Sequence, residues 1–253
     1  MNLEDMILKQ GISVEQIDIN KMLNNFRSEM VKGMKAIPSS LAMLDSYLDI
    51  PNNCSEETVA IIDAGGTNLR IGLGSLNENG KVELSNFIKK EMPGKVSQVS
   101  SDQFYQILTD YLYPFRNDFK KIGFCFSYPT KILPNHDGEL LYWTKEINIP
   151  DLVNCPVGKG LLNALNKRGI KNKQVAILND TVATLLSGYT QGVELDCNQY
   201  IGFILGTGTN TSCVINNRII NIESGGFAKF PLTQIDNNLD INSSNPGSYR
   251  FEK

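Results

Sequence analysis

The sequence predicts an α/β chain of two related lobes, the second of them incomplete, and three observations carry that prediction. Val59-Ala60-Ile61-Ile62 is an apolar strand that ends in Asp63-Ala64-Gly65-Gly66-Thr67-Asn68-Leu69-Arg70, a glycine turn that feeds a second strand. Tyr200 to Leu205 repeats the pattern, running into Gly206-Thr207-Gly208-Thr209-Asn210 and then the strand-like Thr211 to Ile215. Between the two copies, helical and strand patterns alternate, as they do in α/β domains.

Taken in order, the first element is a helix from about 20 to 34, where Met22, Leu23, Phe26, Met30, Val31 and Met34 recur at helical spacing. Its methionines suit a core. Three strands follow near 58–63, 68–76 and 81–88, with Asn79-Gly80 as a hairpin turn between the last two. Phe104, Ile107, Leu108, Tyr111, Leu112 and Phe115 mark a helix. Ser100 and Gln103 form a capping-box pattern at its start, and Pro114 ends or kinks it. Ile122 to Phe126 is a short buried strand, and a long polar connection runs from there to about 155. Pro156 opens a helix through Leu161, Leu162 and Leu165; Gln174 to Leu178 is another buried strand, and Thr181 to Tyr189 a helix. The first repeat thus occupies about 130 residues. The second begins near 199 and has the 55 residues from there to 253, too few for its helices and later strands. The expected organisation is an N-terminal helical segment of a large lobe over 1–55, a small lobe over 56–190, and the beginning of the large lobe over 191–253.

The glycine turns are suited to phosphate. Gly65 and Gly66 let the backbone approach an anion closely and adopt angles closed to other residues, so that amide hydrogens and the Thr67 hydroxyl face phosphate oxygens. Asp63 cannot bind phosphate itself and would instead hold Mg²⁺ through water. A plain glycine-rich hairpin is the competing reading. Asn179-Asp180-Thr181 lies at the carboxyl end of a buried strand, where open α/β sheets place their sites. Asp180 either caps the following helix or serves as a general base for a hydroxyl that attacks a phosphoryl group. Sugar hydroxyls both donate and accept, which suits the set Ser127, Thr144, Lys145, Asn179 and Asp180. Ser127 and Thr144 read equally well as loop residues. His136, the only histidine, belongs to a solvated turn.

Composition excludes other classes. A hydrophobic fraction of 41% supports a folded core, and a net charge of -3 gives no basic patch for nucleic acid. Five cysteines without C-x-x-C spacing point to a reducing, cytoplasmic setting. The first residues are acidic where a signal peptide is basic, and no apolar run approaches the roughly 20 residues of a membrane span.

The ordered series of motifs resembles the hexokinase family, the ATP-dependent enzymes that phosphorylate glucose and similar hexoses at the 6-hydroxyl. It comprises Ser40-Leu41-Ala42-Met43-Leu44, the 63–70 turn, Phe126-Ser127-Tyr128-Pro129, Trp143-Thr144-Lys145, Asn179-Asp180-Thr181, the 206–210 turn and Asn245-Pro246-Gly247 leading to Phe251-Glu252-Lys253. The resemblance implies a ribonuclease-H-like, actin/hexokinase-type fold that binds sugar between two lobes, with ATP and Mg²⁺ as cofactors. It implies that Ser127, Thr144, Lys145, Asn179, Asn210, Glu223 and Glu252 hold the sugar and that Asp180 is the base. Asp63, Gly65, Gly66, Thr67, Asn68, Arg70, Gly206, Thr207 and Gly208 match the phosphate segments; Arg70 reads equally well as a structural ion-pair partner. Two departures stand out. Around Glu223, Ser224 replaces the large residue usual there and Ala228-Lys229-Phe230 lacks the family's glycine and aspartate; the larger departure is the end, one residue after Glu252, where the family continues into the part that supplies the adenosine pocket and completes the larger lobe. The expectation is a front fragment or shortened form of a hexokinase, inactive at this length because the adenosine pocket lies outside it. The rival readings are a non-catalytic sugar-binding or regulatory protein on the same scaffold and an actin-like or chaperone-like interaction protein.

Overall fold

The computed structural model describes residues 3–11, 13–50, 57–77, 81–143, 146–192, 197–206, 208–243, 246 and 247. In chain order its elements are α1 (Leu3–Gln10), α2 (Ile19–Met34), β1 (Leu44–Asp49), β2 (Val59–Ala64), β3 (Asn68–Leu76), β4 (Val82–Glu91), α3 (Ser101–Leu112), β5 (Lys121–Phe126), β6 (Thr130–Ile132), β7 (Gly138–Leu140), α4 (Val157–Lys167), β8 (Gln174–Leu178), α5 (Asp180–Gly192), β9 (Ile201–Leu205), β10 (Thr209–Ile215), β11 (Arg218–Asn221) and α6 (Gln234–Ile241). The mixed α/β class is as predicted. Strands β1, β6, β7 and β11 and helices α1 and α6 are additions to the sequence reading. The Asn79-Gly80 turn lies outside the described residues. Among the described residues, no helix is long and apolar enough to cross a membrane.

The chain divides into two units. The larger comprises Asp45–Gly202 with Val214–Ile220. Its main sheet has the order β4-β3-β2-β5-β8. Strands β2, β3 and β4 pair antiparallel, whereas β5 adds to β2, and β8 to β5, in parallel. The parallel strands bury Ile62, Phe124 and Ile177 against Phe104, Leu108 and Leu112 of α3 and Leu161 and Leu165 of α4. Helix α3 begins as its sequence requires: Ser100 accepts from Gln103 N, and the Gln103 side chain accepts from Ser100 N. Close packing extends to α4, where a Cβ on Gly160 would overlap the Tyr105 ring. A bulge where Ile71 and Leu73 face β4 leaves Asn86 with φ 51, a left-handed conformation that asparagine tolerates. Helix α5 rests on a second cluster in this unit, with Val182 and Leu185 packed among Leu48, Ile50, Leu178, Val214 and Ile219.

The segment expected to be a polar connection carries a buried clamp. Strands β6 and β7 are too short to leave a periodic signal. Beside them the carboxylate of Asp137 accepts from Gly138 N (2.7 Å), Gly158 N (2.6 Å) and Lys159 N (2.8 Å), capping α4 from a distance in sequence. The exposed His136 next to it, φ 63, accepts through its backbone carbonyl from Ile177 N on β8.

The smaller unit comprises Met1–Leu44, Phe203–Cys213 and Asn221–Lys253. Phe26 of α2 meets Phe227 edge to face at 5.0 Å, and the side chain of Asn25 donates to Lys229 O. Leu41 and Met43 are buried, which explains the apolar positions of the 40–44 segment. Glu29, 3% exposed, accepts from Lys32 Nζ (2.6 Å), Ser40 N (2.8 Å) and Ser40 Oγ (3.0 Å). The second sheet has the order β1-β11-β10-β9, so β9, β10 and β11 repeat the order of β2, β3 and β4. That agreement bears out the internal duplication.

Two tests follow from these buried carboxylates. Asp137→Ala strands three amide donors and is expected to cost about 1–3 kcal/mol in urea unfolding; a loss under about 0.5 kcal/mol would show that the clamp does not secure α4. The Lys32 hydrogen bond, followed by Ser40 N, lowers the Glu29 carboxyl from 4.5 to about 2. Its stabilisation is complete above pH 4.5 and is lost as pH falls toward 2. Glu29→Gln should therefore flatten the acid limb of stability over that window, and an unchanged limb would assign the acid sensitivity elsewhere.

Candidate active site

Parallel pairing puts chemistry at one end of the large unit's sheet. Asp63 on β2 is in register with Cys125 on β5, and Cys125 with Leu178 on β8. Ser127 follows β5 at once and its N–H donates to Ala64 O (3.2 Å), while Asn179 and Asp180 follow β8. Asp63, Ser127, Asn179 and Asp180 therefore emerge from adjacent strand ends, although the first and last lie 117 positions apart in the sequence.

The glycine turn between β2 and β3 is held from outside. Gly65 N donates to Asn68 O (3.0 Å), Met92 N donates to Thr67 O (3.0 Å), and the Tyr128 hydroxyl donates to Gly65 O (2.7 Å). One expectation is corrected here: Gly65 keeps an ordinary φ, so it is not needed for an angle closed to other residues. What it provides is room, since a Cβ there would stand 3.3 Å from Asn68 O. Thr67 is exposed, and Gly66 and Asn68 are half-buried. Arg70, paired with Asp63 across β2 and β3, brings Nη1 to 2.5 Å from Asp63 Oδ2. The ion pair weighed from sequence is therefore present.

Asn179, rather than Asp180, takes the capping bonds of α5. Its Oδ1 accepts from Thr181 N (3.0 Å) and Thr181 Oγ1 (2.5 Å), and its carbonyl accepts from Ala183 N. Asp180 Oδ1 accepts from Thr181 N (2.9 Å). Among the described residues no lysine or arginine forms an ion pair with Asp180. Burial first, then the charges of Asp63 and Asp180, push the Cys125 thiol up to about 12. Both carboxylates thus lie near one half-buried thiol. Cys125 was absent from the sequence-based site, and Tyr128 entered only within the Phe126-Ser127-Tyr128-Pro129 motif, without a role of its own; for Cys125 its place two residues before Ser127 was the available signal.

The aromatic side of Ser127 is packed. Tyr128 lies 4.6 Å from the ring of Trp143, and Trp143 Nε1 donates to Ile149 O (2.6 Å). Thr144 and Lys145, next in the chain, lie outside the described residues, as do Thr207 and Glu252.

The smaller unit holds a separate polar network. Gly206 N donates to Gly208 O (2.9 Å), closing the second glycine turn. Asn210 Nδ2 donates to Asn221 Oδ1 (3.0 Å), and Asn221 Nδ2 donates to Glu223 Oε1 (2.8 Å). Asn210 Oδ1 accepts from Ser224 N (3.2 Å), and the hydroxyls of Ser224 and Thr211 are 2.9 Å apart. Glu223 is held with φ 55, in the left-handed region. Asn221, 5% exposed, links the two predicted residues and was missed; an asparagine within an apolar strand two residues before a glutamate was the available signal. Asn221→Ala should cost about 1–3 kcal/mol by leaving its partners unsatisfied, read as a lower urea midpoint; an unchanged midpoint would show that Asn210 and Glu223 are positioned without it.

Comparison with known proteins accords with this geometry. Two family models, both described as hexokinase, match residues 6–190 and 200–253. The chain is 31% identical over 247 residues to Hexokinase-2 of Arabidopsis thaliana, covering 85% of this chain and 48% of that one. It is 29% identical to a hexokinase of Brugia malayi, over 100% of this chain and 49% of the relative. A hexokinase from Schistosoma mansoni solved in complex with glucose superposes with TM-score 0.69 at 26% identity, over 89% of this chain and 56% of that structure. Another hexokinase crystal structure gives TM-score 0.73 at 26% identity, over 92% of this chain and 57% of that one. The chain thus spans about half the length of the curated relatives it matches. From fold, site arrangement and matched sequence together, the chain belongs to the hexokinase family.

Proposed function

We propose that the chain carries the hexose-holding and phosphate-gripping residues of an ATP-dependent hexose kinase, which passes the γ-phosphoryl group of ATP to the 6-hydroxyl of glucose or a similar hexose. The observation that supports this reading best is the parallel register of β2, β5 and β8, which sets Asp63, Ser127, Asn179 and Asp180 at adjacent strand ends beside the Gly65 turn. Asp180 is the general base: it accepts the hydroxyl proton as that oxygen attacks. Ser127, Thr144, Lys145, Asn179, Asn210, Glu223 and Glu252 are assigned to sugar hydroxyls. The backbone amides of residues 65–68 and 206–208 are assigned to phosphate oxygens, whose charge backbone dipoles accommodate without a cationic surface.

Asp63 fits a magnesium role in its donor chemistry. Among the described residues no cluster of three or more histidine, cysteine or acidic side chains could cage a metal. Mg²⁺ bound with polyphosphate needs only one or two carboxylates and keeps several waters. The ion would offset the charge that develops on the transferred group. Arg70 already balances the Asp63 charge and fixes the direction of its carboxylate. A cytoplasmic setting and a place at the entry of hexose into glycolysis complete the proposal, supported by the unpaired cysteine spacing and the family.

A coupled glucose-phosphorylation assay with ATP and Mg²⁺ tests the chemistry, and fluorescence of Trp143, the only tryptophan, tests the sugar site. Asp180→Ala is expected to lower phosphorylation about 10² to 10⁴-fold while leaving a glucose-dependent fluorescence change. A rate independent of Asp180 would remove it from the role of base. Fluorescence indifferent to glucose would remove the hexose assignment.

A further inference from the structure

The glycine turn after β2 and the chain around Trp143 are far apart in sequence, yet two separate routes join them. One runs through Tyr128, which is 1% exposed. Its hydroxyl donates to Gly65 O at 2.7 Å, and its ring meets that of Trp143 edge to face at 4.6 Å. The other route follows the backbone beyond β4. Met92 N donates to Thr67 O (3.0 Å), Asn148 N donates to Gly94 O (2.9 Å), and Trp143 Nε1 donates to Ile149 O (2.6 Å). Turn, Met92–Gly94 segment, Trp143 and Tyr128 thus close a circuit of contacts that lies wholly within the larger unit.

The circuit has little slack. Gly94, at φ 85, brings the chain so close that a Cβ there would stand 2.8 Å from Ile149 Cγ1. The Phe126 ring lies 4.9 Å from that of Tyr128 and 5.8 Å from that of Trp143, so three rings pack as one cluster. Ring packing alone would be met by a phenylalanine at 128. The hydroxyl does something more. A peptide unit is planar, so the carbonyl of one residue and the N–H of the next turn together. By holding Gly65 O, Tyr128 fixes the direction of the Gly66 N–H; by holding Thr67 O, Met92 N fixes that of the Asn68 N–H. Both amides belong to the 65–68 set assigned above to phosphate oxygens.

We propose that Tyr128 is a positioning residue that couples the Trp143 segment to the glycine turn: it aims the Gly66 N–H through the Gly65 carbonyl and passes a displacement of Trp143 to that amide. Trp143 immediately precedes Thr144 and Lys145, to which hexose hydroxyls are assigned. A hexose at one end of the circuit and a polyphosphate at the other therefore strengthen each other's binding through contacts of the larger unit alone. The link itself rests on geometry. Its consequence for ligands rests on the proposed function, and the two arms of the experiment keep them apart.

Two substitutions isolate the link, and each retains an aromatic ring. Tyr128→Phe removes the donor to Gly65 O, and Trp143→Phe removes the donor to Ile149 O. The first arm follows amide hydrogen exchange in the 253-residue chain without ligand. Its reporter is the Gly65 amide, whose bond to Asn68 O closes the turn, and its control is the Ile177 amide on β8, bonded to His136 O. Each substitution is expected to speed Gly65 exchange roughly three- to tenfold, the scale of one hydrogen bond, and to leave Ile177 unchanged. The double variant should show less than the product of the two effects, because coupled sites are not additive. Unchanged Gly65 exchange in Tyr128→Phe would overturn the proposal, as would a double variant that gives the full product.

The second arm titrates glucose by Trp143 fluorescence with and without Mg²⁺ and inorganic pyrophosphate. In the unaltered chain pyrophosphate should tighten glucose binding at least about fivefold, the lower end of measured couplings between sites. Tyr128→Phe should reduce that factor to below about two while changing glucose affinity alone by less than about twofold. A purely structural role would instead weaken glucose binding alike in both conditions. A glucose response that pyrophosphate does not alter, or a coupling that survives Tyr128→Phe, would overturn the proposal. Fluorescence indifferent to glucose would remove the hexose assignment, and Gly65 exchange would then decide the link by itself.

Discussion

Parallel pairing of β2, β5 and β8 is the constraint on which the larger unit depends. Each of these strands buries one face beneath α3 and α4, so its register is set by where Ile62, Phe124 and Ile177 must sit. A slip of one residue would turn the apolar set outward. The same register therefore fixes the strand ends, and with them Asp63, Ser127 and Asp180. The placement of these polar residues is a by-product of core packing: the hydrophobic effect selects the register, and they inherit their positions.

The smaller unit solves the corresponding problem with polar groups. Glu223 sits in a left-handed conformation that costs a non-glycine residue free energy. The Asn210–Asn221–Glu223 chain and the Thr211–Ser224 contact hold it there. Such networks are specific when every member is satisfied and costly when one is not. The replacement of a large residue by Ser224, noted in the sequence, is thus accommodated by a hydroxyl pair rather than by apolar packing. Glu29 acts in the same manner on α2, joining the helix to the Ser39-Ser40 turn through a buried carboxylate.

Much of this organisation was legible in the sequence because it is written in local periodicity and turn chemistry. The helix at 20–34, the glycine turns, the Ser100–Gln103 capping box and the strand before Asn179 all lie within short windows. The duplication was legible because glycine and hydroxyl residues recur after apolar strands. What escaped depends on distance. Asp137 caps a helix whose first residues lie about twenty positions on, which no local pattern encodes. Strands β6 and β7, three residues each, are too short for alternation to show. Asn221 was hidden because a buried polar residue in an apolar strand has meaning only through its partners. The capping role weighed for Asp180 passed to Asn179 by a shift of one residue, below the precision with which sequence locates a helix start.

Cys125 has a consequence of its own. With its thiol pushed up to about 12, the thiolate fraction at neutral pH is of order 10⁻⁵, and thiolate is the form that oxidants and alkylating agents attack. The sulfur is therefore a chemically quiet spacer. It occupies volume near two carboxylates without contributing charge, so the field at that end of the sheet is governed by Asp63, Arg70 and Asp180.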